Sequence, residues 1–130
     1  LIMQSAKVMS SAPDTKIVLC HAGSPADRSE QGLEEWARDL RLLSDMDNIF
    51  CKLSGLGMFD HNWTENSIAP IVNECLQQFG PSRCMFGSNF PVDSLYSDYS
   101  SLIKAYRNII PKLASETVFD KTARDFYKIH

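Results

Sequence analysis

The chain has 130 residues, 44% of them apolar, and 13 basic against 16 acidic side chains give a net charge of −3. That length suits one domain with a packed core but is short for a closed barrel. Charges of both signs are interspersed with no basic stripe, which argues against a nucleic-acid partner; no apolar run reaches the length of a membrane span, and no stretch reads as a signal peptide.

Leu1 to Ser11 (LIMQSAKVMSS) reads as the tail of a helix stopped by Pro13. Because the chain opens on Leu1 inside that run, a truncated start is expected. Lys16 to Cys20 (KIVLC) is a nearly continuous apolar run, the pattern of a strand buried on both faces, and it ends at His21 and the loop Ala22-Gly23-Ser24-Pro25. Leu33, Trp36, Ala37, Leu40 and Leu43 follow helical spacing, which predicts an amphipathic helix over Glu30 to Ser44. A second strand is expected over Asn48 to Leu53 (NIFCKL), ending at Ser54-Gly55, with Leu56 to Trp63 as loop.

Ser67 is a candidate cap for the next helix, with Pro70 in its first turn and an apolar stripe of Ile68, Ile71, Val72, Cys75, Leu76 and Phe79. Gly80-Pro81 marks its end. The third strand is expected over Arg83 to Gly87, ending at Ser88-Asn89-Phe90-Pro91. Two helices follow, one with Leu102, Ile103, Tyr106, Ile109 and Ile110, the other with Val118, Phe119, Ala123, Phe126 and Tyr127 and Ser115 as its expected cap. Strands alternating with helices predict an α/β fold with a parallel sheet in a single domain, residues 1–130. Three short strands cannot close a barrel, and an open sheet of that size leaves edges exposed.

The four cysteines show neither a CxxC pair nor zinc-site spacing with a histidine. Reduced thiols acting as small hydrophobes are expected, and with them a cytoplasmic location.

Parallel α/β sheets gather their sites at the C-terminal ends of strands. Each strand here ends by switching from apolar to polar residues: His21-Ala22-Gly23, Lys52-Leu53-Ser54-Gly55 and Ser88-Asn89-Phe90-Pro91. A shared polar rim follows. Lys52 interrupts its strand on the face of Phe50 and Ser54, so its ammonium is expected either to bind a substrate carboxylate or to meet an acidic partner in the protein. The loop over Gly57 to Trp63 carries Asp60, His61 and Trp63 and is placed to shape a pocket. No GxSxG elbow occurs, and Gly55-Leu56-Gly57 is not a phosphate loop. Arg83 precedes its strand at the remote end, where a structural role is expected.

The runs IVLCHAGSP, CKLSGLG, FGPSRCMFGSNFPVD and TARDFYKI, spread over Ile17 to Ile129, resemble successive signatures of the amidohydrolase-related (amidohydrolase 2) family, in its lactonase-like branch. The resemblance implies about the last three β/α units of a TIM (β/α)8 barrel, and a hydrolase acting on a lactone or related cyclic ester with water held at the barrel mouth. His21 would bind the substrate carbonyl or a divalent metal, zinc or manganese; the family also contains metal-independent members. Asn89 stands where many members carry an aspartate that activates water. An amide has no basic oxygen at neutral pH, so Asn89 can orient water but not take its proton. Asp93, four residues on, is a second candidate carboxylate. Lys52, Ser54 and His61 complete the expected site as substrate-binding residues. The expected partner is a small molecule, with a homo-oligomer left open. Two rival readings stand beside this one: a non-catalytic barrel-derived binding protein or inactive fragment, which Asn89 favours, and a stand-alone doubly wound α/β domain.

Overall fold

A computed structural model describes residues 2–130; Leu1, the start of the expected first helix, lies outside the described residues. Helix α1 (Ile2–Ser10) leads to strand β1 (Ile17–Leu19), helix α2 (Glu30–Ser44), strand β2 (Ile49–Leu53), helix α3 (Glu65–Phe79) and strand β3 (Cys84–Phe86). Helix α4 (Tyr99–Ile109) follows, then α5 (Lys112–Glu116), which runs through a π-turn (Thr117–Lys121) into α6 (Thr122–Tyr127). The three strands form one parallel sheet in the order β1-β2-β3, with Leu19 beside Cys51 and Cys51 beside Cys84.

The apolar runs explain why these segments pair. Alternate residues of β2, Ile49, Cys51 and Leu53, are fully buried. They pack with Leu40 and Leu43 of α2 and Ile68, Ile71, Val72 and Cys75 of α3 in one core. Burying each large aliphatic side chain there contributes roughly 1.5–3 kcal/mol. Phe50 and Lys52 lie on the other face, part of which α6 covers through an edge-on contact of Phe126 with Phe50, ring centres 4.9 Å apart. Met85, in register with Lys52, is buried there too.

Several boundaries differ from the sequence expectation. Thr64, not Ser67, caps α3: the two exchange reciprocal bonds, Ser67 N–H to Thr64 Oγ1 at 3.1 Å and Thr64 N–H to Ser67 Oγ at 2.8 Å. Both residues are good capping types, and the earlier one wins because the helix starts three residues sooner. Pro70 consequently falls past the first turn, inside the helix. Ser115 lies inside α5 rather than capping the last helix, because the chain turns helical directly after Pro111. Strand β3 is shorter than Arg83 to Gly87, although Gly87 N–H extends the ladder to Leu53 O at 3.0 Å.

The four cysteines are free. Cys51, Cys75 and Cys84 are buried together; contact with Cys75 and burial hold the Cys51 thiol well above its usual range, and contact with Cys51 and burial do the same for Cys84. Both therefore remain neutral thiols in the core. Among the described residues no helix is long and apolar enough to cross a membrane.

At the N-terminal end of the sheet Arg83 binds four carbonyl oxygens: Phe79 at 3.3 Å, Met46 at 3.0 Å, Ile49 at 3.2 Å and Ser44 at 2.9 Å. One guanidinium thus ties the ends of α2 and α3 to the start of β2. Arg83→Ala is expected to lower unfolding free energy by about 3 kcal/mol, because it leaves partly buried acceptors without donors; denaturant titration measures it. A loss below about 0.5 kcal/mol would assign the clasp no structural weight.

Candidate active site at the strand ends

Parallel pairing places the C-terminal tips of β1, β2 and β3 at one end of the sheet, and it is there that the polar residues gather. The chain leaves β1 through an unusual turn. His21, Ala22, Gly23 and Ser24 all have positive φ, at 56°, 52°, 73° and 54°. For residues with a Cβ this left-handed region costs about 1–2 kcal/mol each. Such strain persists only where surrounding contacts over-determine it.

Those contacts are specific. His21 Nδ1 lies 2.8 Å from Ser54 Oγ at the tip of β2. Trp36 Nε1 of α2 donates to Ala22 O at 2.8 Å, and Ser24 N–H closes the turn on His21 O at 2.8 Å. Gly55, itself at φ 61°, makes room for the ring: a Cβ there would sit 2.6 Å from His21 Nδ1. With Nδ1 engaged by a buried serine, Nε2 is the ring nitrogen left for a ligand.

At the tip of β3, Asn89 also has positive φ, 57°, a conformation asparagine tolerates well, and the following Phe90–Pro91 bond is cis. Its Nδ2 donates to Asp93 Oδ1 at 2.8 Å, and Asp93 N–H donates back to Asn89 O at 3.0 Å. Asp93 is 1% exposed, so it stands behind Asn89 rather than beside it. The pairing fixes the amide: Nδ2 faces Asp93, which leaves Oδ1 as the free acceptor. Strand spacing puts the β1 and β3 tips about 10 Å apart, with Ser54 between them.

The remaining expected site residues are placed as follows. Lys52 Nζ donates to Tyr127 OH at 2.8 Å and lies 5.3 Å from that ring's centre. Its partner is a hydroxyl rather than the acidic group expected, and a half-exposed ammonium needs no carboxylate to offset desolvation. Gly87, in register with Ser54, accommodates the lysine stem: a Cβ there would lie 3.3 Å from Lys52 Cδ and 3.2 Å from Ser54 Cβ. His61 is exposed, bonded through Nε2 to Met58 O at 3.1 Å and stacked on Tyr96 with ring centres 4.3 Å apart. That stack joins the loop after β2 to the loop after β3. Asp60 is turned to the start of α3, accepting from Ser67 Oγ at 3.0 Å.

Hydrogen bonds therefore link His21 with Ser54 and Asn89 with Asp93, whereas Lys52 bonds to Tyr127 and His61 to Met58. Helical spacing alone puts Trp36 on the apolar stripe of α2 and does not show its hydrogen bond to the turn. The signal available was an indole in an otherwise aliphatic stripe, since a buried Trp N–H requires an acceptor. Among the described residues no group of three His, Cys, Asp or Glu side chains is arranged to hold a metal ion. One imidazole nitrogen and one amide oxygen fall short of the three protein ligands a catalytic zinc requires, so these residues alone do not fit a metal.

Comparison with known proteins identifies the family and the fold. The uncharacterized protein y4mH of Sinorhizobium fredii is 38% identical over 120 residues, covering 90% of this chain and 40% of that protein. An L-fucono-1,5-lactonase of Burkholderia multivorans is 36% identical over 104 residues, 69% of this chain and 35% of the relative. The chain thus spans well under half the length of these curated relatives. A crystal structure of an amidohydrolase from Burkholderia multivorans superposes with a TM-score of 0.92 at 26% identity, covering 99% of this chain and 50% of the other. The same protein in a second crystal form has zinc bound and superposes at 0.91. The amidohydrolase family profile matches residues 1–129, and the chain belongs to that family.

Proposed function

We propose that this chain contributes part of the active site of a hydrolase that opens a lactone or related cyclic ester. The observation that carries the reading is the His21–Ser54 bond, which holds an imidazole at a strand tip with Nε2 free, two strands from the oriented Asn89 amide. The lactonase name of one relative supports the substrate class.

In this reading His21 Nε2 engages the carbonyl oxygen of the ester, where negative charge grows as water adds to the carbonyl carbon. Asn89 Oδ1 accepts a hydrogen bond from that water and aims it. The carbon–oxygen bond of the ring then breaks, and the proton that the attacking water loses passes through solvent to the ring oxygen, which leaves as a hydroxyl while the carbonyl carbon becomes a carboxyl group. Asn89 is not the base that takes the water's proton. Asp93 acts through Asn89 as a positioning residue. One bond to Tyr127 leaves Lys52 two ammonium protons for an anionic substituent, and the His61–Tyr96 stack offers a flat wall to a sugar-like ring.

The barrel-derived binding protein remains the second reading, favoured by the amide at position 89. Hydrolysis of L-fucono-1,5-lactone and related sugar lactones by the full-length protein separates the two. The wild type should turn over, and His21→Ala should lose about 100-fold in kcat. Full activity in His21→Ala removes the site assignment, and no turnover of any lactone favours the binding reading. Chelation with zinc or manganese add-back shows whether the imidazole acts alone or as one ligand among several.

Asn89→Asp places a second carboxylate against Asp93. Like charges at this distance raise one pKa of the pair. Below it a shared proton preserves the bond; above it both ionise and repel. The variant's activity should therefore fall as pH rises, where the wild type shows no such fall. Turnover that instead climbs above wild type with pH would mean a base is missing at this position. Gly55→Ala should push the imidazole off Ser54, lowering stability by about 1–2 kcal/mol and kcat with it; an unchanged melting curve and rate would contradict the packing described.

A further inference from the structure

In the hydrolysis proposed above, none of the side chains given a role hands the ring oxygen its proton. His21 Nε2 serves the carbonyl, an amide such as Asn89 exchanges no proton at neutral pH, and Asp93 is buried behind it. The sheet face that carries Ser54 holds a further candidate. Lys52 is in register with Met85, yet its stem runs toward the strand tips: a Cβ on Gly87, two residues further along β3, would meet Lys52 Cδ at 3.3 Å and Cγ at 3.4 Å. The same point lies 3.2 Å from Ser54 Cβ, so the lysine stem and the serine that holds His21 flank one position at the mouth. At the end of that stem Nζ donates to Tyr127 OH at 2.8 Å. Tyr127 belongs to α6, which crosses this face with Phe126 against Phe50 and is tied at its start by Thr122 Oγ1 donating to Pro81 O at 2.8 Å. The far end of the chain thus brings a phenol beside the Lys52 ammonium, and at 47% exposure Tyr127 is open to a ligand.

We propose that Tyr127, held by Lys52, is the general acid of the hydrolysis and makes the last proton transfer to the ring oxygen. This rests on the lactone-opening reading and adds the group that completes it. An ammonium has hydrogens to give and no lone pair to receive one, so Lys52 can only donate to the phenol oxygen. The phenol's own hydrogen therefore points away from Lys52 and is free for an acceptor in the mouth. As the carbon–oxygen bond breaks, its electron pair stays with the ring oxygen, which takes the Tyr127 proton and leaves as a hydroxyl. The phenolate left behind faces the Lys52 ammonium at 2.8 Å, a charge-assisted bond stronger than the neutral one it replaces. The proton lost by the attacking water, carried by solvent, then restores the phenol. One water is consumed for each ring opened and Tyr127 ends as it began. Lys52 acts through Tyr127 as a positioning residue.

Steady-state kinetics of the full-length wild type beside Tyr127→Phe test the assignment. The substitution keeps the ring that packs against Phe126, centres 4.8 Å apart, and removes the hydroxyl alone. On L-fucono-1,5-lactone, or the related sugar lactone that the wild type turns over fastest, kcat should fall about 100-fold with KM unchanged. At fixed pH and ionic strength the variant's rate should rise with phosphate concentration, because dihydrogen phosphate can then protonate the leaving oxygen; the wild-type rate should not. Dihydrocoumarin, whose ring oxygen leaves as a phenol and needs little protonation, should be opened at nearly equal rates by the two proteins. An undiminished kcat on the sugar lactone overturns the proposal, as does a fall of equal size on both substrates or a variant rate that phosphate leaves flat. Where the wild type does not open dihydrocoumarin, the phosphate dependence decides. A wild type that opens no lactone ends the hydrolase reading itself, and the assignment of Tyr127 falls with it.

Discussion

The arrangement depends on one strained turn being held in place. Left alone, the His21–Ser24 segment would leave the left-handed region within a few residues, since only Gly23 enters it without steric cost. Ser54 and Trp36 prevent that from two directions, one from the neighbouring strand tip and one from the helix behind. The imidazole is therefore positioned by contacts made far away in sequence rather than by its own backbone preference. Moving either partner would let the turn relax and take the ring with it.

The second tip is built on a different principle. Asn89 sits in its left-handed conformation with less strain, and its side chain is set by Asp93. A carboxylate buried behind an amide does for the amide what a second residue does for a catalytic histidine: it selects one of two orientations that would otherwise be nearly equal in energy. Position 89 thus acts as an oriented acceptor, and Asp93 serves it without meeting solvent. The two tips together present an imidazole and an oriented amide across a gap about 10 Å wide, with Ser54 between them.

The parallel architecture was legible because continuous apolar runs and helical stripes identify buried strands and amphipathic helices with little ambiguity. The polar tips were legible for the same reason, since each strand ends where the apolar run stops. What escaped were features decided between segments. Thr64 and Ser67 are equally good caps on paper, and only the true helix start chooses between them. The Lys52 partner, Tyr127, lies 75 residues along the chain and carries no acidic signature. Asp93 is buried although it lies in the loop after β3, where a carboxylate is ordinarily exposed. Little in the residues His21-Ala22 advertises a left-handed turn, because alanine does not favour one and histidine, though found there more often than most types, does so only occasionally.

A crystal structure of the full-length protein with a non-hydrolysable lactone analogue tests the central claim most directly. The account predicts the analogue between the β1 and β3 tips, its carbonyl oxygen about 3 Å from His21 Nε2 and its reacting carbon on the side of Asn89 Oδ1. An analogue bound with His21 still joined to Ser54 but its carbonyl turned away from the imidazole, or seated elsewhere on the molecule, would contradict it.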